Sequence, residues 1–187
     1  IMSIFNSLRR IKKFSFYNEK KSDVLLLDQN LLSLKSKNFK CKTIRFDEIN
    51  FYILMESILK YIIKNKNLSF KELYFSNLLN HIKPKIIIGH NLNQRIFLVK
   101  KLFPSAITVC YQFGFLDKKN VHKIYKKKNI KNNTSDYFLV FHKQDKNIFK
   151  RFFRSKFITT GSVRNNNYIS KNKNKSNIIN YISQYNP

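Results

Sequence analysis

Cysteine, glycine and acidic side chains are all scarce in this chain, and each shortage closes off a class of explanation. Two cysteines, Cys41 and Cys110, are too few for a disulfide framework and lack metal-ligand spacing. Cys110 falls inside a run that reads as a buried strand, so free thiols in a reducing cytoplasm are expected. No apolar run approaches the ~20 residues needed to span a bilayer. The amino terminus sets Arg9, Arg10, Lys12 and Lys13 among Ile4, Phe5, Leu8, Ile11 and Phe14, without the apolar core or cleavage site of a signal peptide. It reads as a short basic amphipathic helix, lying on a membrane or frayed on the protein's own surface. Metal chemistry finds no His/Cys spacing and no Asp-x-Asp pair, so no metal site is expected. Ser-His-Asp catalysis has no nucleophile-elbow motif, and no Gly-x-Gly-x-x-Gly dinucleotide fingerprint occurs.

Acids are outnumbered: Asp and Glu total 10 against 37 Lys and Arg, a formal charge of +27. Such a surface points to nucleic acid or an anionic membrane, or simply to the Lys-, Asn- and Ile-rich composition that AT-rich coding imposes. The lysines form no single block, arginines are few, and no Lys-Gly-Phe-Gly-Phe type signature is present. Phosphorylated substrates and an acidic membrane leaflet are favoured either way. At 187 residues, 43% hydrophobic and 15% aromatic, the chain has room for one domain with a real core and little else.

The most informative stretch runs from Lys83 to Phe115. Ile86-Ile87-Ile88 and Ile107-Thr108-Val109-Cys110 are β-branched runs, each preceded by a proline and followed by a glycine, with a helix-sized segment between them. That is a β-α-β unit. The first run lacks polar alternation, which suits a buried parallel strand of an α/β sheet. All three glycines, Gly89, Gly114 and Gly161, follow such runs, so the loops after them are expected along one rim.

Further strands are expected over 23–28, 42–46 (weaker, and nearer the sheet edge), 137–141 and 157–160. Apolar residues at three- and four-residue spacing from Ile49 to Ile63 predict a helix over 47–65 capped by Asp47. Ser69-Phe70-Lys71-Glu72 has the form of a capping box, opening a helix that stops before Pro84. Two helices in one crossover imply a change of direction in the sheet, with a site at that switch point. A helix capped by Asn91 or Asn93 and another over 145–153 complete the pattern. Residues 117–135 read as an irregular basic insertion. Ser170 to Ser176 alternates Lys and Asn and reads as a linker.

The series Arg45…Glu48-Ile49-Asn50, Pro84 to Asn91, Gln112-Phe113-Gly114, Asp136 to Phe141 and Gly161 to Asn166 resembles bacterial surface-carbohydrate (lipopolysaccharide or capsule) biosynthesis proteins. These are GT-B-like glycosyltransferases with two Rossmann-type domains around a cleft. The chain departs from that pattern at His90-Asn91, where the family tends to carry Asp-Asn, and at Gln112-Phe113-Gly114, where it tends to carry Gln-Asn-Gly. The resemblance implies a Rossmann-like three-layer domain with a mostly parallel sheet of about six strands, the amino-terminal half of a GT-B fold. The expected organisation is a basic segment over 1–22, an acceptor-side domain over 23–169, a linker over 170–176, and the first strand of a truncated donor-binding domain over 177–187.

It also implies a nucleotide-sugar donor, a glycan or lipid-linked acceptor, no cofactor, and a cytoplasmic protein, peripheral at the inner face of the membrane. Transfer needs a base for the acceptor hydroxyl and polar groups for the leaving diphosphate. His90, at a strand's carboxyl end with a pKa near neutrality, is the first candidate for that base and His142 the second. Asp28 is a base or an orienter. Asn91, Asn93 and Gln112 can bond sugar hydroxyls. Gly114 and Gly161 allow close backbone approach or positive φ. Ser162, Arg164 and Asn165 could face a phosphate, and Lys118, Lys119 and Lys123 could attract an anionic acceptor. A basic nucleic-acid-binding module and a GT-B-like sugar-nucleotide epimerase are the alternatives.

Overall fold

In the computed structural model, residues 13–28, 38–44, 48–64, 68–114, 125 and 133–162 are described. Among these residues the elements run in the order β1 Lys13–Ser15, β2 Val24–Leu26, β3 Cys41–Thr43, β4 Glu48–Asn50, α1 Phe51–Lys64, α2 Phe70–Ile82, β5 Ile86–His90, α3 Arg95–Leu102, β6 Ile107–Tyr111, β7 Thr134–Val140, α4 Lys143–Phe149 and β8 Arg154–Thr159. Six of the strands form one sheet in the order β3-β2-β5-β6-β7-β8, and every neighbouring pair in it is parallel. The fold is the expected Rossmann-like α/β domain, with β3 at an edge.

The order carries the functional consequence. The chain steps outward from β2 to β3, then returns over β2 through α1 and α2 to β5 and continues the other way. The reversal lies between β2 and β5, where open α/β sheets form a crevice beyond their carboxyl ends. The long two-helix crossover is what makes the turn-back possible.

Alternation along the strands sorts the core. Leu25, Leu27, Ile87, Cys110, Phe138 and Val140 bury one side against Ile53, Phe75, Leu79, Ile96 and Phe149 of the helices. Val24, Leu26 and Tyr111 form a smaller cluster with half-buried Ile86, Ile88 and Leu139 on the other. Gly89 is a packing glycine: a Cβ there would lie 3.3 Å from both Leu27 and Ile96, so its absence lets α3 sit close to β2 and β5.

Several local expectations are met and several are corrected. The Ser69 capping box forms as read, with Glu72 bonding back to the Ser69 N–H, and α2 closes on Lys83 in the left-handed region at φ 50° just before Pro84. The helix expected from 47 begins later, because Glu48–Asn50 pairs as β4 with β1 in a separate parallel ribbon. Its cap is Asn50, whose Oδ1 accepts the Ile53 N–H at 3.2 Å; Asp47 lies outside the described residues. β7 starts at Thr134, α4 ends at Phe149 and β8 starts at Arg154, each shifted from its expected limits. The linker and the strand expected over 177–187 lie outside the described residues, as do Lys118, Lys119 and Lys123. Among the described residues no helix is long and apolar enough to cross a membrane.

Candidate functional site

Parallel pairing places the carboxyl ends of all six strands along one edge, and the candidates follow it. Asp28 comes just after β2, His90 ends β5 with Asn91 and Asn93 beyond it, and Gln112 and Gly114 follow β6. His142 follows β7, and Gly161 and Ser162 follow β8. At about 4.8 Å between neighbouring strands, β7 and β8 lie about 10 and 14 Å from β5. The edge therefore holds a tight group at β2, β5 and β6 and a looser one toward β8. Arg164 and Asn165 lie outside the described residues.

The tight group is built on Asp28, His90 and Tyr111. Asp28 and Tyr111 are both buried, and the Tyr111 hydroxyl donates to Asp28 Oδ2 across 83 residues of sequence. The His90 ring meets Tyr111 edge-on at 6.2 Å and Phe113 at 4.8 Å between centroids. Its Nδ1 accepts the Leu92 N–H at 3.2 Å, which leaves Nε2 as the ring nitrogen without a hydrogen bond to any described residue. Burial holds the imidazole below its ordinary pKa of 6.5, and the nearby Asp28 charge opposes that shift. His90 is thus neutral at pH 7, with a carboxylate alongside to stabilise an imidazolium.

Three candidate amides serve mainly to fasten this edge. Asn91 is buried, with Nδ2 donating to the Tyr125 hydroxyl at 3.1 Å and Oδ1 accepting the Phe113 N–H at 3.0 Å. Asn93 Nδ2 donates to the Leu27 carbonyl at 3.0 Å while its Oδ1 accepts the Arg95 N–H at 3.1 Å. It opens α3 in this way, although the flanking Gln94 makes no side-chain cap. Gln112 donates to the Gly114 carbonyl at 3.1 Å and accepts the Phe141 N–H at 3.0 Å, tying β6 to β7. Buried amides with both ends engaged hold loops in place.

The remaining candidates are simpler. Gly161 has φ +72° with open space around it, whereas Gly114 has neither positive φ nor a close neighbour. The turn after β8 therefore requires glycine on conformational grounds and the one after β6 does not. His142 is exposed and flanks α4 without a side-chain cap. Ser162 is half-buried. Two residues escaped the sequence reading: Tyr111, whose tie to Asp28 no local spacing signals, and Asp145, buried in the first turn of α4 with Oδ2 making no hydrogen bond.

The class is thus a Rossmann-like α/β domain with a cluster of polar side chains at its switch point. The profile of a family described as "putative O-antigen biosynthesis protein" matches residues 109–187, which run from the middle of β6 through Gln112, β7, α4 and β8. Over that part the chain is similar to O-antigen biosynthesis proteins, and the similarity supports a place in surface-carbohydrate biosynthesis. No curated protein matches the chain, and no solved structure does.

Proposed function

We propose that the crevice between β2 and β5 is the acceptor-binding half of a GT-B-like glycosyltransferase that moves a sugar from a nucleotide sugar to a glycan or lipid-linked acceptor. The observation that supports the reading is an imidazole held below its ordinary pKa by burial at the sheet's switch point, beside the buried Asp28–Tyr111 pair. The family similarity supports the carbohydrate context.

In this reading His90 Nε2 takes the proton of the acceptor hydroxyl as that oxygen attacks the donor's anomeric carbon. Asp28 favours the imidazolium that results, and Tyr111 fixes Asp28. With Nδ1 accepting from Leu92, the resting ring carries its proton on Nε2. Acting as base requires the other tautomer and the loss of that bond, which costs about 1 kcal/mol. General base catalysis is worth roughly 10²- to 10⁴-fold, or about 3–5 kcal/mol, so the exchange is favourable. The donor phosphates would be held mainly by a second domain.

Acceptor-dependent release of nucleoside diphosphate, measured on a protein that carries both domains, tests the proposal. Transfer should fall by roughly 10²-fold or more in His90→Gln, and its rate should decline as the pH drops through the depressed His90 pKa, below 6.5. Interconversion of nucleotide sugars without any acceptor would overturn it in favour of epimerisation.

A further inference from the structure

Helix α1 reverses the usual rule for a surface helix. Its inward side buries Ile53, Leu54 and Ser57, while its outward side presents Phe51, Met55, Leu59, Ile62 and Ile63, with no charged side chain in that stripe. Ile62 and Ile63 are 74% and 77% exposed. The stripe continues beyond the helix, because Phe16, after β1, packs on Phe51 at 5.3 Å between ring centroids and is itself exposed. A helix with apolar residues both on its buried side and along an exposed stripe needs a second apolar neighbour, and a continuous exposed patch of this kind marks an interaction surface.

We infer that this face is a docking surface for an anionic lipid membrane, with α1 lying flat in the interface. At 14 residues the helix is about 21 Å long, short of the ~30 Å hydrocarbon core, so it can lie on a bilayer but not cross it. Charge decides the occupant. With a formal charge of +27, a second copy of the chain would be repelled from the stripe, whereas an anionic bilayer attracts the whole molecule and accepts the apolar side chains at its headgroup boundary. The inference does not depend on the transferase reading; the stripe and the charge carry it.

Vesicle flotation of the full 187-residue chain tests it, using phosphatidylcholine alone and phosphatidylcholine mixed with phosphatidylglycerol. The chain should float with the anionic vesicles, and partitioning should fall at least about tenfold in Leu59→Ser/Ile62→Ser/Ile63→Ser with the circular dichroism spectrum unchanged. The chain contains no tryptophan, so the emission of an Ile62→Trp variant reports this one position and should shift to the blue when anionic vesicles are added. Equal binding by the triple variant, or unshifted emission, would overturn the inference. So would a concentration-dependent dimer dissolved by the same substitutions, since a second copy would then cover the stripe.

Discussion

The carboxyl edge of the sheet and the outer face of α1 invert the same rule in opposite directions. At the edge, Asp28, Asn91, Asn93 and Gln112 are polar and buried, and each makes bonds that tie one strand end to another. On α1, Ile62 and Ile63 are apolar and exposed, and the described structure offers them no cover. Buried polar groups that are fully bonded give a fixed shape, which is what a binding crevice needs. Exposed apolar groups contribute little to folding, and a contiguous stripe of them marks an interaction surface.

The largest expected effect contrasts the two sides of one helix. Ile53→Ala removes a side chain that is 1% exposed and should destabilise by about 2–5 kcal/mol in denaturant unfolding. The next concerns the edge. Tyr111→Phe leaves the buried Asp28 carboxylate short of a donor and should cost about 1–3 kcal/mol, with Asp28→Asn a milder change because an amide can still accept that bond. A double-mutant cycle between the two positions should show strong coupling.

The third prediction is a pH dependence. The folded pKa of His90 is depressed below its unfolded value of 6.5, so between the two values the unfolded chain binds more protons. Stability is therefore fully present above 6.5, falls as the pH drops through that window, and levels off below the folded pKa. His90→Gln should abolish that component. It should leave the acid loss below 4.5 that comes from Glu56 and Glu72, whose carboxyls are both held low. At Glu56 burial opposes, and bonds from Lys60 and His81 outweigh it; at Glu72 the Ser69 bonds lead. The smallest effect is Ile62→Ala, which should change stability by no more than about 0.5 kcal/mol. A cost comparable to that of Ile53→Ala would erase the contrast between the two sides of α1.

Much of the fold was legible because its signals are local. Ser69 and Glu72 specify a cap within four residues, Pro84 ends a helix, and the runs at Ile86–Ile88 and Ile107–Cys110 announce buried strands by composition. The reversal of the sheet was also readable, since two consecutive helices leave few short paths between parallel strands. The ribbon of β1 and β4 was not: three residues a side carry no alternation, and their pairing joins positions 35 apart. Nor was the rotation of α1. Apolar residues occur nearly all round that helix, so periodicity gives its existence but not which stripe turns inward. At the site, His90 and Asp28 could be placed by their position after strands. The Tyr111 bond could not, because it depends on how β2 and β6 flank β5.

The most direct test of the crevice is a titration of the histidine ring resonances with acceptor oligosaccharides. The chain has four histidines; His90 sits at the β5 rim and His81 lies in α2 beside Glu56. The account predicts a dose-dependent shift of the His90 resonances that leaves His81 unmoved and disappears in Asp28→Ala. Glycan binding that shifts other residues while His90 stays still would contradict it.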